Sequence, residues 1–459
     1  MDSHSSSSTI AKARRKCLYV TLGCAKNEVD TDRMRAILTR EGFDEAQEVA
    51  DADVVLINTC SFLASATSES IETTLELADA VSEGVRSRPI VMCGCVPSRY
   101  GGELPSQLPE VAAFVRTDEE DGIAGVVRGV LGMEPPVLAA DALVEGTLRT
   151  VEGTSAYVKI SDGCDRYCAF CAIPYIRGRY FSRPEQDIEA EVKRLMEGGV
   201  REVVLIGQDT GIWGNDLGEG RDLAWLLRRV AAAVRPYGGW VRVLYLQPEG
   251  MTDELIATIR DTPEVLPYID MPIQHCCERV LKSMNRSGSE PQLRELFARL
   301  REEIPGMVLR TTGLVGFPGE TEGEFEELLE FVREQEFDYT SVFSYSQEDG
   351  TAAARMPRQV EEGVKLDRAQ RLLDVAEQLG FAATASHVGE VVDVIVDGVE
   401  ETDEGMELVG HSWFQAPDCD GAVHVEMPGE ATVGDVLRVR LVDSFCYELV
   451  GEVVEEGVS

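Results

Sequence analysis

The sequence predicts an α/β protein in three folded parts: an N-terminal open parallel α/β sheet (residues 17–134), a central partial barrel of six strand–helix units (150–382) and a small C-terminal β-barrel (386–453). Three observations predict it. The chain has 459 residues, too many for one ordinary core. Short apolar runs of strand length alternate with helical stretches from Leu18 to Phe381. From His387 the apolar period drops to two, as in strands with one buried face.

Residues 1–16 are Ser-rich and end in Lys12, Arg14, Arg15 and Lys16, the composition of a disordered arm. They lack the apolar run of a signal peptide, and no later stretch has the length of a membrane span. A cytoplasmic protein without membrane contact is therefore expected. In that reducing setting, twelve cysteines read as ligands or core residues rather than a disulfide framework. Strands are expected at 18–22, 54–57 and 90–92, and helices at 28–40 and 64–80. Each strand runs into a cysteine at its carboxyl end: Cys24, Cys60 and Cys95. Open parallel sheets bind ligands at those ends, so three thiols delivered there can converge on one object. Cys17, placed before the first strand, and Cys93, within the third, read as small core residues.

Residues 106–153, with Pro109, Pro135 and Pro136, carry the join to the second part. Six strands follow, at 157–160, 202–206, 241–246, 268–271, 308–315 and 339–343, with a helix at 185–197. Six units fall short of the eight of a closed barrel, and an open barrel leaves a lateral mouth. After the first of these strands comes Cys164-Asp165-Arg166-Tyr167-Cys168-Ala169-Phe170-Cys171. Three thiols spaced C-x3-C-x2-C can reach three corners of a four-iron cubane and leave the fourth iron open. Zinc is the competing reading, but it takes four ligands, and His4, His275, His387, His411 and His424 are scattered. A helix at 355–381 leads out of the barrel, and strands at 391–396, 407–409, 421–426 and 436–441 make the last part.

The cysteine loop, with Phe170 before its last thiol, resembles the radical S-adenosylmethionine enzymes, and the whole chain resembles the methylthiotransferases among them. The matching segments are Leu22-Gly23-Cys24-Ala25-Lys26-Asn27, Asn58-Thr59-Cys60, Gly94-Cys95, Ser161-Asp162-Gly163-Cys164 through Pro174, and Arg177-Gly178. Further on come Gly207-Gln208-Asp209-Thr210, Pro272-Ile273-Gln274-His275, Met284-Asn285-Arg286 and Gly316-Phe317-Pro318-Gly319-Glu320-Thr321. The resemblance implies a partial (β/α)6 radical-SAM barrel, a TRAM-like C-terminal domain and two [4Fe-4S] clusters. Cys164, Cys168 and Cys171 would hold the cluster that binds S-adenosylmethionine, and Cys24, Cys60 and Cys95 the second. Gln208, Gly313 and Gly316 resemble cofactor-contacting positions, where glycine lets backbone approach a ligand closely. Cys276 and Cys277 depart from the family's usual residues and read as bystanders.

The implied chemistry takes an electron from an external donor, cleaves S-adenosylmethionine to a 5′-deoxyadenosyl radical and removes an unreactive C–H hydrogen. No side-chain acid or base is expected to do that work. Sulfur would come from the second cluster, replenished by a sulfur donor.

The family splits between a transfer-RNA adenosine and an aspartate of the twelfth protein of the small ribosomal subunit. Here 82 acidic residues against 43 Lys+Arg give a formal charge of −39, which opposes phosphate-backbone binding. Residues 386–459 carry 18 acids against Arg438 and Arg440 alone, a formal −16. Glu400, Glu401, Asp403 and Glu404 form the run least expected to be buried. A basic ribosomal protein suits this charge better than transfer RNA. Lys159 to Asp165, Ala169 to Pro174, Gln274-His275 and Phe343-Ser344-Tyr345-Ser346 also resemble the RimO-type aspartate enzymes. Transfer-RNA methylthiolation and a non-catalytic iron–sulfur protein stay open as alternatives.

Overall fold

The computed structural model describes residues 14–82, 88–136, 149–150, 153–218, 220–402, 405–426 and 431–454. Most of the serine-rich arm, residues 137–148 and 151–152 of the join, and Asp403 and Glu404 lie outside the described residues. The chain divides into two compact units near residue 150.

In the first unit, β1 (Arg15–Thr21), β2 (Phe43–Glu45), β3 (Val54–Thr59), β4 (Ile90–Gly94) and β5 (Val111–Arg116) form a parallel sheet in the order β2-β1-β3-β4-β5. Every residue of β3 and β4 is buried, as in strands covered on both faces. Alternate residues feed separate cores: Leu56, Val91 and Cys93 on one side, Val55, Ile57 and Met92 on the other. β1 starts earlier than its apolar run. Arg15 and Lys16, expected in a disordered arm, are strand residues paired with Phe43 and Asp44, and Cys17 lies inside the strand. What holds them is the short edge strand β2, too brief to show a period, with ion pairs Arg14–Asp44 (2.8 Å) and Arg15–Asp53 (2.5 Å).

In the second unit, β6 (Ser155–Lys159) is followed by a small ribbon of β7 (Ser161–Asp162) and β8 (Phe181–Ser182). Then come β9 (Glu202–Ile206), β10 (Trp240–Val243), β11 (Val265–Gln274), β12 (Val308–Val315) and β13 (Tyr339–Ser344). The parallel sheet runs β6-β9-β10-β11-β12-β13, with β6 and β13 at its two edges, so the barrel is open. Alternation sends Ala156, Val158, Val203, Leu205, Val241 and Val243 to the helix-side core with Ile188, Val192, Leu226 and Val230. The opposite, inner face carries Lys159, Glu202, Arg242, Tyr268 and Arg310. Side-chain caps start several outer helices, most completely at Thr321, which exchanges bonds with Glu324 in a capping box ahead of the helix Glu322–Gln335.

The helix expected from Arg355 instead spans Glu362–Ser386. Pro357 bars Met356 from helical geometry and leaves it extended (ψ 143°) after a short turn at Ala353–Arg355. Beyond it, β14 (Val391–Thr402), β15 (Gly405–Ser412), β16 (Val423–Glu426), β17 (Val436–Phe445) and β18 (Glu448–Val453) close a barrel in the order β14-β15-β16-β18-β17. Four strands were expected and there are five. β18 buries only Leu449 and Gly451, and a glycine shows no apolar period.

This small barrel plugs the amino ends of the six strands. His411 lies between Glu202 (3.1 Å) and Asp397 (2.5 Å), and Arg242 donates to the Trp413 carbonyl (3.0 Å). Asp420 accepts from Arg310 (3.1 Å) and from the Tyr268 hydroxyl. The carboxyl ends, where the cysteine loop lies, are left to the site.

Candidate cluster and cofactor site

The loop from Cys164 to Cys171 hangs from β6 through β7. Gly163, just before Cys164, has φ +72°, and a Cβ there would stand 2.1 Å from the Arg179 carbonyl oxygen. Only glycine fits. The loop is pinned by backbone bonds from Ala169 N to Met284 O and from Ala353 N to Ala169 O, both 2.8 Å. Asn285 Nδ2 donates to the Arg166 and Tyr167 carbonyls (3.0 and 3.1 Å), which holds Tyr167 at φ +50°. The three thiols are half-buried. Burial, reinforced by the thiols of Cys168 and Cys164, pushes Cys171 up to about 12, and burial also raises Cys164. Ligation must therefore displace protons, as metal binding by thiols does.

Around the loop, Asp162 receives Lys159 Nζ (2.8 Å), Gln208 Nε2 (3.0 Å) and Arg177 (3.1 Å). Burial works against its charge, but Lys159 and Arg177 hold its carboxyl well below the usual range. Arg166, between the first two cysteines, pairs with buried Asp209 (2.5 Å) and with Glu249 (3.1 Å). Burial raises Asp209 despite Arg166. Gln208 Oε1 and Asp209 Oδ1 are buried without a hydrogen-bond partner among the described residues. At the end of β11, His275 Nδ1 accepts from Cys277 N (2.9 Å), so its proton sits on Nε2, another buried atom without a partner. Burial pulls His275 down to about 3 and keeps it neutral. Burial lifts Glu320, which caps Phe317 N, to about 7.

Gly313 and Gly316 sit at the end of β12 as expected, but their free direction faces protein. A Cβ on Gly313 would meet Leu372 at 2.9 Å, and one on Gly316 would meet Lys365 at 2.5 Å. Packing of the helix Glu362–Ser386 accounts for both glycines. Any cofactor contact there would use backbone. Cys276 and Cys277 join hydrophobic cores.

In the first unit, Cys24 caps the helix Ala25–Arg40 after β1, Cys60 follows β3, and Cys95 opens the short helix after β4. The strand order reverses between β1 and β3, the switch point where such sheets bind ligands, so Cys24 and Cys60 straddle it. Asn27 ties the three together. Its Nδ2 donates to Leu22 O (2.8 Å) and Thr59 O (2.9 Å), and its Oδ1 lies 3.8 Å from Cys95 Sγ. Gly23 packs on Cys60: a Cβ there would come within 2.7 Å of the Cys60 Cβ. Burial pushes Cys17 up to about 12 and raises Cys93 well above its ordinary value, which leaves them core thiols.

Among the described residues no three such side chains are set around a single metal ion. A cubane bonds each thiolate to a different iron, so its ligands stand further apart than those of one ion. Two all-sulfur sets fit iron–sulfur clusters better than a hard cation. The unpartnered atoms of Gln208 and Asp209 beside one set fit a polar cofactor tail. Sequence reasoning assigned no role to Asn27, Lys159, Asp162, Arg166, Arg177 or Asn285. All six stand in the quoted motifs or the cysteine loop, so the segments were marked but the side chains were not.

Comparison with known proteins adds family. Residues 158–332 match the radical SAM superfamily, 16–116 the uncharacterized protein family UPF0004 and 388–454 the TRAM domain. The ribosomal protein uS12 methylthiotransferase RimO of Geobacter sulfurreducens is 42% identical, with 97% of this chain and 100% of that protein covered. Its counterpart in Trichlorobacter lovleyi is 41% identical over 97% and 99%. The chain belongs to the uS12 methylthiotransferase family.

As a member of that radical SAM family it uses S-adenosylmethionine and a [4Fe-4S] cluster. Cys24, Cys60 and Cys95 all fall in the UPF0004 match, and Cys164, Cys168 and Cys171 in the radical SAM match. The fold is also that of the radical S-adenosylmethionine methyltransferase TsrM from Kitasatospora setae, with a TM-score of 0.54, 14% identity and 72% of each chain covered.

Proposed function

We propose that this methylthiotransferase adds a methylthio group to the β-carbon of an aspartate in ribosomal protein uS12, in the cytoplasm, with two clusters of separate duty. Full-length identity to proteins named for uS12 carries the reading. Bound at Cys164, Cys168 and Cys171 with S-adenosylmethionine, one [4Fe-4S] cluster would supply the carbon radical that takes a β-hydrogen, and one at Cys24, Cys60 and Cys95 the sulfur.

The chain's own residues position and shield. Asn285, Met284 and Ala353 fix the loop that presents three thiols. Gln208 and Asp209 offer acceptors to the cofactor's polar tail. Neutral His275 offers a donor without adding charge. No side chain here is asked to remove the hydrogen, and positioning is the work that remains. Electron and sulfur donors come from outside the chain. The acidic surface disfavours transfer RNA as substrate, and the cofactor-ready strand ends have no use in a passive iron–sulfur protein.

Triple alanine variants test the division of labour. Reconstituted protein should hold about eight irons, and either triple variant about half. Loss of Cys24, Cys60 and Cys95 should keep 5′-deoxyadenosine formation and abolish methylthiolation. Retained sulfur transfer with lost cleavage would reverse the assignment.

A further inference from the structure

One cation at the mouth of the partial barrel is paired to the carboxylate at the root of the cysteine loop. Lys159 is the last residue of β6, and its neighbours Val158 and Ile160 belong to the helix-side core, so its side chain lies on the inner face. It is 16% exposed, with Nζ 2.8 Å from Asp162 Oδ2. Arg177, 2% exposed, reaches the same carboxylate at 3.1 Å, and Gln208 donates to its other oxygen. Asp162 and Gly163 lead directly into Cys164, so this group is built into the root of the cysteine loop.

The rest of the inner face towards the carboxyl ends is uncharged: Ile206, Leu244, Pro272, Leu314 and Phe343. Arg242 lies lower. It registers with Val204, whereas Lys159 registers with Ile206 two residues on. Arg310 is only the third residue of β12. Both are tied to Glu202, Asp270 and Asp420 near the plugged end. Among the described residues, Lys159 is the cation of the inner sheet face that stands at the reacting end.

An aspartate that enters such a mouth brings a carboxylate out of water, and a buried carboxylate needs a cation or several donors. Its carboxyl carbon is bonded to the β-carbon, so a grip on the carboxylate sets the β-carbon's place within one bond. We infer that Lys159 recognises the substrate: its ammonium, backed by Asp162 and Arg177, binds the side-chain carboxylate of the aspartate to be modified. This rests on the aspartate reading above. It makes Lys159 a specificity residue that separates aspartate from isosteric, uncharged asparagine.

The test uses reconstituted full-length enzyme, with uS12 and a uS12 variant that carries asparagine at the residue the unaltered enzyme modifies. The quantity read is the ratio of kcat/KM for the two. The unaltered enzyme should prefer aspartate by on the order of a hundredfold, Lys159→Met should bring the ratio to within about threefold of unity, and Lys159→Arg should restore at least about tenfold. A purely structural role would slow both substrates equally and leave the ratio where it was, which overturns the inference. So does a Lys159→Met enzyme that keeps the ratio but needs far more S-adenosylmethionine, because the cation then serves the cofactor. If Lys159→Met turns over neither substrate, Lys159→Arg decides: recovered aspartate preference supports the inference, and absent turnover at full iron content overturns it. Failure of the underlying reading looks different, since the unaltered enzyme would then modify neither protein.

Discussion

Gly163 and Asn27 ligate nothing in this account, yet each thiol set depends on one of them. Gly163 holds a left-handed turn against backbone, with the Arg179 oxygen where a Cβ would go. Backbone cannot yield as a flexible side chain can. Gly163→Ala should cost about 1–3 kcal/mol locally and displace Cys164. Iron content should fall by about half while the melting temperature moves only a few degrees; iron at the unaltered level would show that the loop tolerates the shift. The six cysteines were legible because spacing and strand-end position mark them without help from the fold. Gly163 was legible as part of a motif but not as a necessity, because Arg179 comes from the far end of the loop. Lys159, Asp162 and Arg177 were hidden for the same reason: one carboxylate gathers groups from a strand, a turn and a returning segment.

Between elements, the joint at the amino ends of the barrel strands turns on His411. Burial opposes its charge, but bonds to Asp397 and Glu202 prevail and raise it from 6.5 to about 9. A raised histidine stabilises fully below its unfolded value and loses that contribution as pH rises through the folded one. The window is therefore about pH 6.5 to 9, and the amount about 3 kcal/mol. Thermal melts of the full chain and of His411→Gln should differ most at and below about pH 6.5 and converge above pH 9; parallel curves would contradict the assignment. At this scale the long strands and helices could be read in advance from their apolar periods. β2 and β18 could not, because three residues, or a strand whose second buried position is glycine, carry no period.

Across the whole molecule the dominant quantity is charge, −39 overall and −16 over residues 386–459. The acidic barrel stands at the end of the six strands away from the cysteine loop. Eight residues of β12 at about 3.3 Å each span roughly 26 Å, more than twice a Debye length of about 8–10 Å. Its charge therefore attracts parts of a basic partner other than the aspartate in the mouth. Glu400 and Glu401 are exposed on the β14–β15 hairpin. Changing both to Lys should slow association with uS12 by about two- to fivefold at low salt and little at high salt. Tight, salt-sensitive binding of transfer RNA by the unaltered protein would instead favour the RNA branch. The order of the parts was legible in the sequence, whereas the plugged end was not. Its contacts include pairs more than 150 positions apart, such as Glu202 with His411 and Tyr268 with Asp420. The central claim is the reaction itself, and intact-mass measurement of uS12 tests it most directly, after incubation with the reconstituted protein, S-adenosylmethionine and a reductant. The account predicts a gain of one methylthio group in place of one hydrogen, located on an aspartate and absent when Cys164, Cys168 and Cys171 are alanine. An unchanged mass of uS12 alongside ready formation of 5′-deoxyadenosine would contradict it.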